Sequence, residues 1–145
     1  MIKNLYSAKH DDKWIKIIDN IDFDVKQYQN FYNYVGYQFL PKLYDYSIIE
    51  GNKAKFVMAY LDGKQVSMKN IRALFDFVCH TIFPSFMQWT ILNRNHMIRD
   101  KKENFFYYHN DLKPENFLVI KNKFMLIDID AMCLTNINDK IFKIY

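Results

Sequence analysis

The chain has 145 residues, half of them hydrophobic, with 13 Phe and 11 Tyr. That length fits one domain of roughly 100–200 residues, and the aromatic content excludes a disordered chain, which lacks apolar surface to bury. The net charge of +4 comes from 20 basic and 16 acidic residues, with lysines scattered and only short pairs such as Lys101-Lys102. This distribution implies a solvated surface with at most mild affinity for phosphates and no specific nucleic-acid partner.

The N-terminal run MIKNLYSAKHDDKWIKII has no uninterrupted apolar stretch of the kind a signal peptide needs. KWIKII (Lys13–Ile18) is a β-branched segment after the turn-like His10-Asp11-Asp12, which predicts a hairpin arm. From Asp22 to Tyr34, Phe23, Tyr28, Phe31, Tyr32 and the following Val35 fall near helical spacing, with Gly36 as the stop. FLPKLYDYSIIEGNKAKFVMAYLDG reads as two strands joined at Glu50-Gly51-Asn52, ending in a bend at Asp62-Gly63.

Ser67 is the N-cap of the longest helical region. Ile71, Leu74, Phe75 and Val78 make its predicted core stripe, and Pro84 breaks or kinks it before a second helix running to about Met97. The stretch Ile71–Leu92 contains Arg72, Asp76, His80 and Pro84, so it is no bilayer span. Ile98–Asn104 reads as a charged loop, and Phe105–Tyr108 as a strand or tightly packed approach. FLVI and FMLIDI are two short strands around a Lys121-Asn122-Lys123 turn. Cys79 and Cys133 stand far apart in apolar settings without a CxxC pair, which predicts buried reduced thiols and no zinc site. The expected location is cytoplasmic, with no membrane contact.

Phosphoryl transfer needs few groups from a protein: a carboxylate near the acceptor hydroxyl, ligands for Mg²⁺, and positive charge against the phosphates. HNDLKPEN, His109 to Asn116, supplies Asp111, Lys113 and Asn116 within eight residues. Asp128 closes the apolar run LID, where a carboxylate costs desolvation unless a cation or hydrogen bonds compensate. An Asp carboxylate and an Asn carbonyl meeting across a hairpin make a sensible oxygen site for Mg²⁺.

On these residues the chain resembles the protein kinase-like superfamily, whose catalytic loop reads HxDLKPEN and whose metal-binding Asp follows the next hairpin. The resemblance implies ATP and Mg²⁺ as cofactors, and a serine/threonine-type phosphotransferase if the chain is active. It implies Asp111 as the catalytic base, Lys113 against the γ-phosphate, and Asn116 and Asp128 as Mg²⁺ ligands. His109 would brace the loop rather than act as acid or base. WIKI is similar to the family's lysine-bearing strand, so Lys16 is either the lysine on the α/β-phosphates or a solvated strand lysine. FDVKQYQNF resembles the helix that carries the family's partner glutamate, with the shorter Asp24 in that place and only eight residues after Lys16. VMAYLDG is similar to the hinge strand, placing main-chain groups of Met58, Ala59, Tyr60 and Leu61 against adenine, unless the segment is a plain connector.

The fold class so implied is α+β, an incomplete protein kinase-like fold. It would comprise a small antiparallel sheet with a helix like the family's αC, a hinge, then helices and a catalytic-loop hairpin. One domain is expected, N-lobe-like over 1–59, hinge at 60–63 and partial C-lobe over 64–145.

Several features depart from the family. No glycine precedes Gly36, so the Gly-rich phosphate lid is missing. Asn110 replaces the usual Arg, as in small-molecule kinases of the choline and aminoglycoside type. Asp128-Ile129-Asp130 replaces Asp-Phe-Gly, where Asp130 either assists a metal or caps a turn. Only 17 residues follow Asp128, too few for the helical subdomain that docks peptides. Apolar surface on the 71–97 helices is therefore expected to seek a partner or a second copy.

Three functional readings follow. One is a minimal ATP-dependent phosphotransferase. Another is an inactive kinase mimic that binds a kinase or its regulator. The third is a decayed or incomplete reading frame. His10, His80 and His96 read as surface or core residues, and Trp14 and Trp89 as core or half-buried platforms.

Overall fold

His10 and Lys13 flank a two-residue turn in which Asp11 adopts a positive φ of 56°, a backbone state that Asp tolerates better than most residues. The turn folds β1 (Lys3–His10) back on β2 (Lys13–Asp19), the hairpin arm expected of KWIKII. This computed structural model describes residues 3–19, 25–51, 53–109, 111–128 and 132–136. The next hairpin joins β3 (Leu43–Glu50) to β4 (Lys53–Ala59) beside Gly51 at φ +57°. Strand β4 then inserts between β2 and β3, giving an antiparallel sheet of order β1-β2-β4-β3.

Successive strand residues face opposite sides of a sheet, and β4 follows that rule closely. Ala54, Phe56 and Met58 are buried while their neighbours are half-buried. Ile18 stands opposite Ala54, Lys16 opposite Phe56 and Trp14 opposite Met58. Trp14 and Lys16 thus share the apolar face of the sheet, towards its rim.

Helix α1 (Val25–Val35) places Phe31, Tyr32 and Val35 in the core. It ends where Gly36 takes φ +60° and its N–H bonds the Tyr32 carbonyl at 3.0 Å, the left-handed stop that glycine adopts without a Cβ penalty. Residues 20–24, including the start expected for this helix, lie outside the described residues.

The helical region begins with a 3₁₀ turn (Met68–Asn70) in which the Ser67 hydroxyl and N–H both donate to Asn70 Oδ1. Helix α2 (Ile71–Phe77) passes through a π-helical turn at Val78–Ile82 into α3 (Phe83–Leu92), followed by α4 (Arg94–Arg99). The π turn precedes Pro84, whose missing N–H interrupts the ladder of a continuing helix at the start of α3. Three further expectations change. Helix continues to Arg99, shortening the predicted 98–104 loop. Of the predicted stripe, Leu74 is buried and Val78 packs against the core as expected, whereas Ile71 and Phe75 face solvent, and Ile82 and Phe77 take their place. The buried face is turned towards Phe77, whose ring centroid lies 6.3 and 5.6 Å from those of Phe39 and Phe124. Cys79, expected buried, is exposed because it falls on the outer side of the π turn.

Five short strands form the remaining described sheets. β5 (Lys64–Gln65), β7 (Phe117–Ile120) and β8 (Lys123–Leu126) form a three-stranded sheet, and β6 (Phe105–His109) pairs with β9 (Met132–Asn136). Lys121 and Asn122 both take positive φ, the tight hairpin turn whose twist matches the flanking strands. The observed class is α+β, with small antiparallel sheets and a few helices.

One apolar core runs from the four-stranded sheet through α1 into α3. At its centre Phe31 stacks on Phe86 at 4.7 Å and meets Trp89 edge-on at 6.0 Å. Phe31 is fully buried, so Phe31→Ala is expected to lower unfolding stability by about 3–5 kcal/mol. Urea denaturation followed by circular dichroism measures this. A loss under 1 kcal/mol would mean that the two parts do not share a core.

Candidate functional site

Lys16 lies at the rim of the inner sheet face, and Asp128 lies two residues beyond the end of β8. The fold brings the Lys16 Nζ to 3.2 Å from Asp128 Oδ1, with the side chains 13% and 22% exposed. These residues are 112 positions apart. Such a contact is an outcome of tertiary folding alone.

Asp128 is placed by two main-chain attachments. The Ile127 N–H donates to the Asn116 carbonyl at 3.0 Å, and the Leu126 N–H donates to the Phe39 carbonyl at 2.7 Å. A third comes from His109, which is completely buried at the end of β6. The His109 Nδ1 accepts the Asp111 N–H at 3.1 Å, so in the neutral ring Nε2 carries the proton and donates to the Asp128 carbonyl. Burial pushes the imidazole pKa below its ordinary value of 6.5; the bond to the Asp128 carbonyl and the carboxylates of Asp128 and Asp111 act in the opposite sense. Burial wins, and the ring stays neutral.

Asp111, Lys113 and Asn116 form a local cluster beside this brace. Asn116 Nδ2 donates to the Asp111 carbonyl at 2.8 Å and to its Oδ2 at 3.0 Å. Lys113 Nζ stands 3.6 Å from the same Oδ2. The 3₁₀ turn Pro114–Asn116, closed by the Asn116 N–H on the Lys113 carbonyl at 2.9 Å, sets these spacings. With both Nδ2 bonds directed at Asp111, the Asn116 Oδ1 is the atom available as an oxygen donor. The Asp111 side chain is 41% exposed, so an incoming hydroxyl can reach it.

A cleft of about 450 Å³ opens between the four-stranded sheet and the β7–β8 hairpin. Lys16, Met58, Ala59, Tyr60, Leu61, Asn116 and Asp128 all line it, whereas Asp111 and Lys113 adjoin Asn116 outside its walls. Its size suits a small organic ligand. Asp24, Asn110 and Asp130 lie outside the described residues.

The connector after β4 carries a detail that the sequence conceals. The Ala59 N–H donates to the Lys42 carbonyl at 2.8 Å, and the Tyr60 N–H donates to the Asp12 carbonyl at 2.9 Å. The N–H groups of Ala59 and Tyr60 are therefore not free for a ligand at this wall. Gly63 runs so close to β7 that an added Cβ would lie 2.6 Å from Ile120 Cγ1 and 3.0 Å from the Val119 carbonyl oxygen. That approach brings the connector against the cleft floor. Ser7, Trp14, Leu118 and Ile127 also line the cleft and were not singled out as site residues from sequence; the alternation of β2 that pairs Trp14 with Lys16 was the available signal.

Among the described residues no three His, Cys, Asp or Glu side chains gather as a metal site. A cation here would rest on the Asp128 carboxylate and Asn116 Oδ1, with ligand oxygens and water completing the shell, a donor set that suits Mg²⁺. His10, His80 and His96 are exposed, as surface roles require, and His96 pairs with Asp100 at 3.2 Å.

No protein-family model matches the chain. No curated protein matches it in sequence. Among solved structures it is similar to choline kinase from Cryptosporidium parvum Iowa II, at 9% identity and a TM-score of 0.40, over 97% of this chain and 61% of that one. The chain thus spans about 61% of the length of that protein. Among the described residues no helix is long and apolar enough to cross a membrane.

The His109 brace has a pH signature. Its folded-state pKa lies below the unfolded value near 6.5. The stability it contributes is therefore full above about pH 6.5 and declines as pH falls below that value, where the unfolded chain takes up the proton first. His109→Gln is expected to flatten the fall in chemical-denaturation stability between about pH 6.5 and the folded pKa. An unchanged slope would show that the ring does not titrate out of this brace.

Proposed function

We propose that the chain is a kinase-like protein that binds ATP with Mg²⁺ in the cleft and presents Asp111 to an acceptor hydroxyl. The observation that carries this reading is the Lys16–Asp128 contact across the cleft, with Asn116 on the same wall and Asp111 bonded to Asn116. A cation and an anion facing one another in a ligand-sized cleft suit a polyphosphate with its counter-ion. Lys16 would turn from Asp128 to the α/β-phosphates as Asp128 and Asn116 take the cation. When bound, Mg²⁺ supplies charge neutralisation on the β- and γ-phosphates. Asp111 would orient the acceptor hydroxyl and take its proton, while Lys113, beside the same carboxylate, would face the γ-phosphate.

A second reading has its own support: an inactive kinase-like module that docks on a protein. Met68, Phe75, Ile91 and Leu92 are 87%, 67%, 69% and 65% exposed. Large apolar side chains left in water in such numbers suit an interaction surface.

Calorimetric titration with ATP, with and without Mg²⁺, separates the two. Mg²⁺-dependent heat is expected. Asp128→Ala and Lys16→Met should each weaken binding by roughly 10- to 150-fold, the loss of one charge-assisted contact of about 1.5–3 kcal/mol. Asp111→Ala should keep ATP binding and lose phosphoryl transfer. Absence of heat under both conditions would leave the docking module as the surviving reading.

A further inference from the structure

Away from the cleft, a pocket of about 130 Å³ lies between α1 and the edge strand β3. It is too small for a nucleotide and has room for one head group the size of a side chain. From α1 it receives Gln29, Tyr32 and Asn33, which share a helix face at i, i+3 and i+4. The Tyr32 hydroxyl donates to Met58 Sδ at 3.6 Å. This buried residue therefore offers the pocket its ring rather than its hydroxyl.

Two irregularities of the backbone bring three further tyrosines to the same place. Tyr37 follows the helix stop at Gly36 and takes φ +63°, a left-handed state that a bulky side chain adopts only under constraint. Its ring stands 6.2 Å from that of Tyr32. In β3 the register shifts between Leu43, opposite Met58, and Asp45, opposite Val57. That bulge at Tyr44 lets four successive residues, Leu43 to Tyr46, line the pocket, where a regular strand would turn every second one away.

The Asp45 carboxylate is the charged group of these walls, and among the described residues no Lys or Arg lines them. The Tyr44 ring already draws cations: the Lys13 and Lys42 Nζ atoms each lie 5.1 Å from its centroid, from positions outside the pocket walls. Ring faces with one carboxylate attract a cation. Alkyl groups on the nitrogen suit such walls, because they spread the charge and lower the hydration lost on entry.

We propose that this pocket is an aromatic cage for a methylated ammonium group, held on the tyrosine ring faces with Asp45 as its counter-ion. The site is independent of the nucleotide reading of the cleft. A free small amine and a methylated lysine side chain carry the same recognised group.

The test titrates the full chain with tetramethylammonium and with its uncharged near-isostere tert-butyl alcohol, followed by NMR of the tyrosine rings. Saturable shifts at Tyr37 and Tyr44 are expected with the cation and not with the alcohol. Tyr44→Leu should weaken cation binding about 2- to 30-fold, while Tyr44→Phe keeps it. Asp45→Asn should weaken it about 2- to 5-fold. Both positions are exposed, so these variants leave the core intact. Lys42→Gln removes a competing ammonium beside Tyr44 and should strengthen binding. N-acetyl-trimethyllysine amide binding more tightly than tetramethylammonium assigns the group to a protein side chain, and weaker binding assigns it to a free ion; the cage stands in both cases. Shifts as large with the alcohol as with the cation would overturn it. So would the absence of a saturable shift, or cation binding that is indifferent to Tyr44→Leu.

Discussion

The buried, neutral imidazole of His109 is the constraint on which the candidate site depends. One ring nitrogen accepts from the Asp111 main chain and the other donates to the Asp128 carbonyl. Two segments separated by the β7–β8 hairpin are thereby held at one fixed spacing. A protonated ring has no acceptor nitrogen and would lose the Asp111 bond, so the brace works only while burial keeps the ring neutral. The surrounding attachments, Ile127 to Asn116 and Leu126 to Phe39, tie the same hairpin into the core.

Around that brace, the sheet and the hairpin contribute opposite charges to one cleft. Lys16 arrives from the sheet because β2 alternates its side chains, and Asp128 arrives from the hairpin because β8 ends just short of it. Neither charge is buried alone, which would cost far more than the pair. The same alternation puts Trp14 in the cleft and gives it an apolar end beside a charged one. Acid, amide and lysine cluster next door around the 3₁₀ turn Pro114–Asn116, with Asp111 and Lys113 on its approach and Asn116 at its end.

Much of this was legible in the sequence where the cause is local. Asp11, Gly36, Gly51 and Lys121-Asn122 marked turns because few backbones adopt positive φ, and the alternating residues of β4 marked a strand with one buried face. The loop His109–Asn116 was legible as the motif HNDLKPEN, and its residues contact one another within a few positions. The core face of α2 was legible only in part: Leu74 and Val78 lie on it as expected, but Phe77, not Ile71 or Phe75, completes it, because the rings of Phe39 and Phe124 receive it. Cys79 was misplaced for the same reason: its neighbours are apolar, but its side of the π turn faces water. β5 and β9 pair with strands far along the chain and have weak patterns of their own.

The sequence by itself determined the turns, the strand and helix periods, and the short-range cluster of Asp111, Lys113 and Asn116, because each depends on interactions within a few residues. Only the tertiary structure decided that Lys16 meets Asp128, that His109 locks Asp111 to Asp128, that Ala59 and Tyr60 have spent their N–H groups, and that Trp14 faces the cleft. Those are relations between segments distant in the chain. No local propensity encodes them; packing of one shared core brings them into reach.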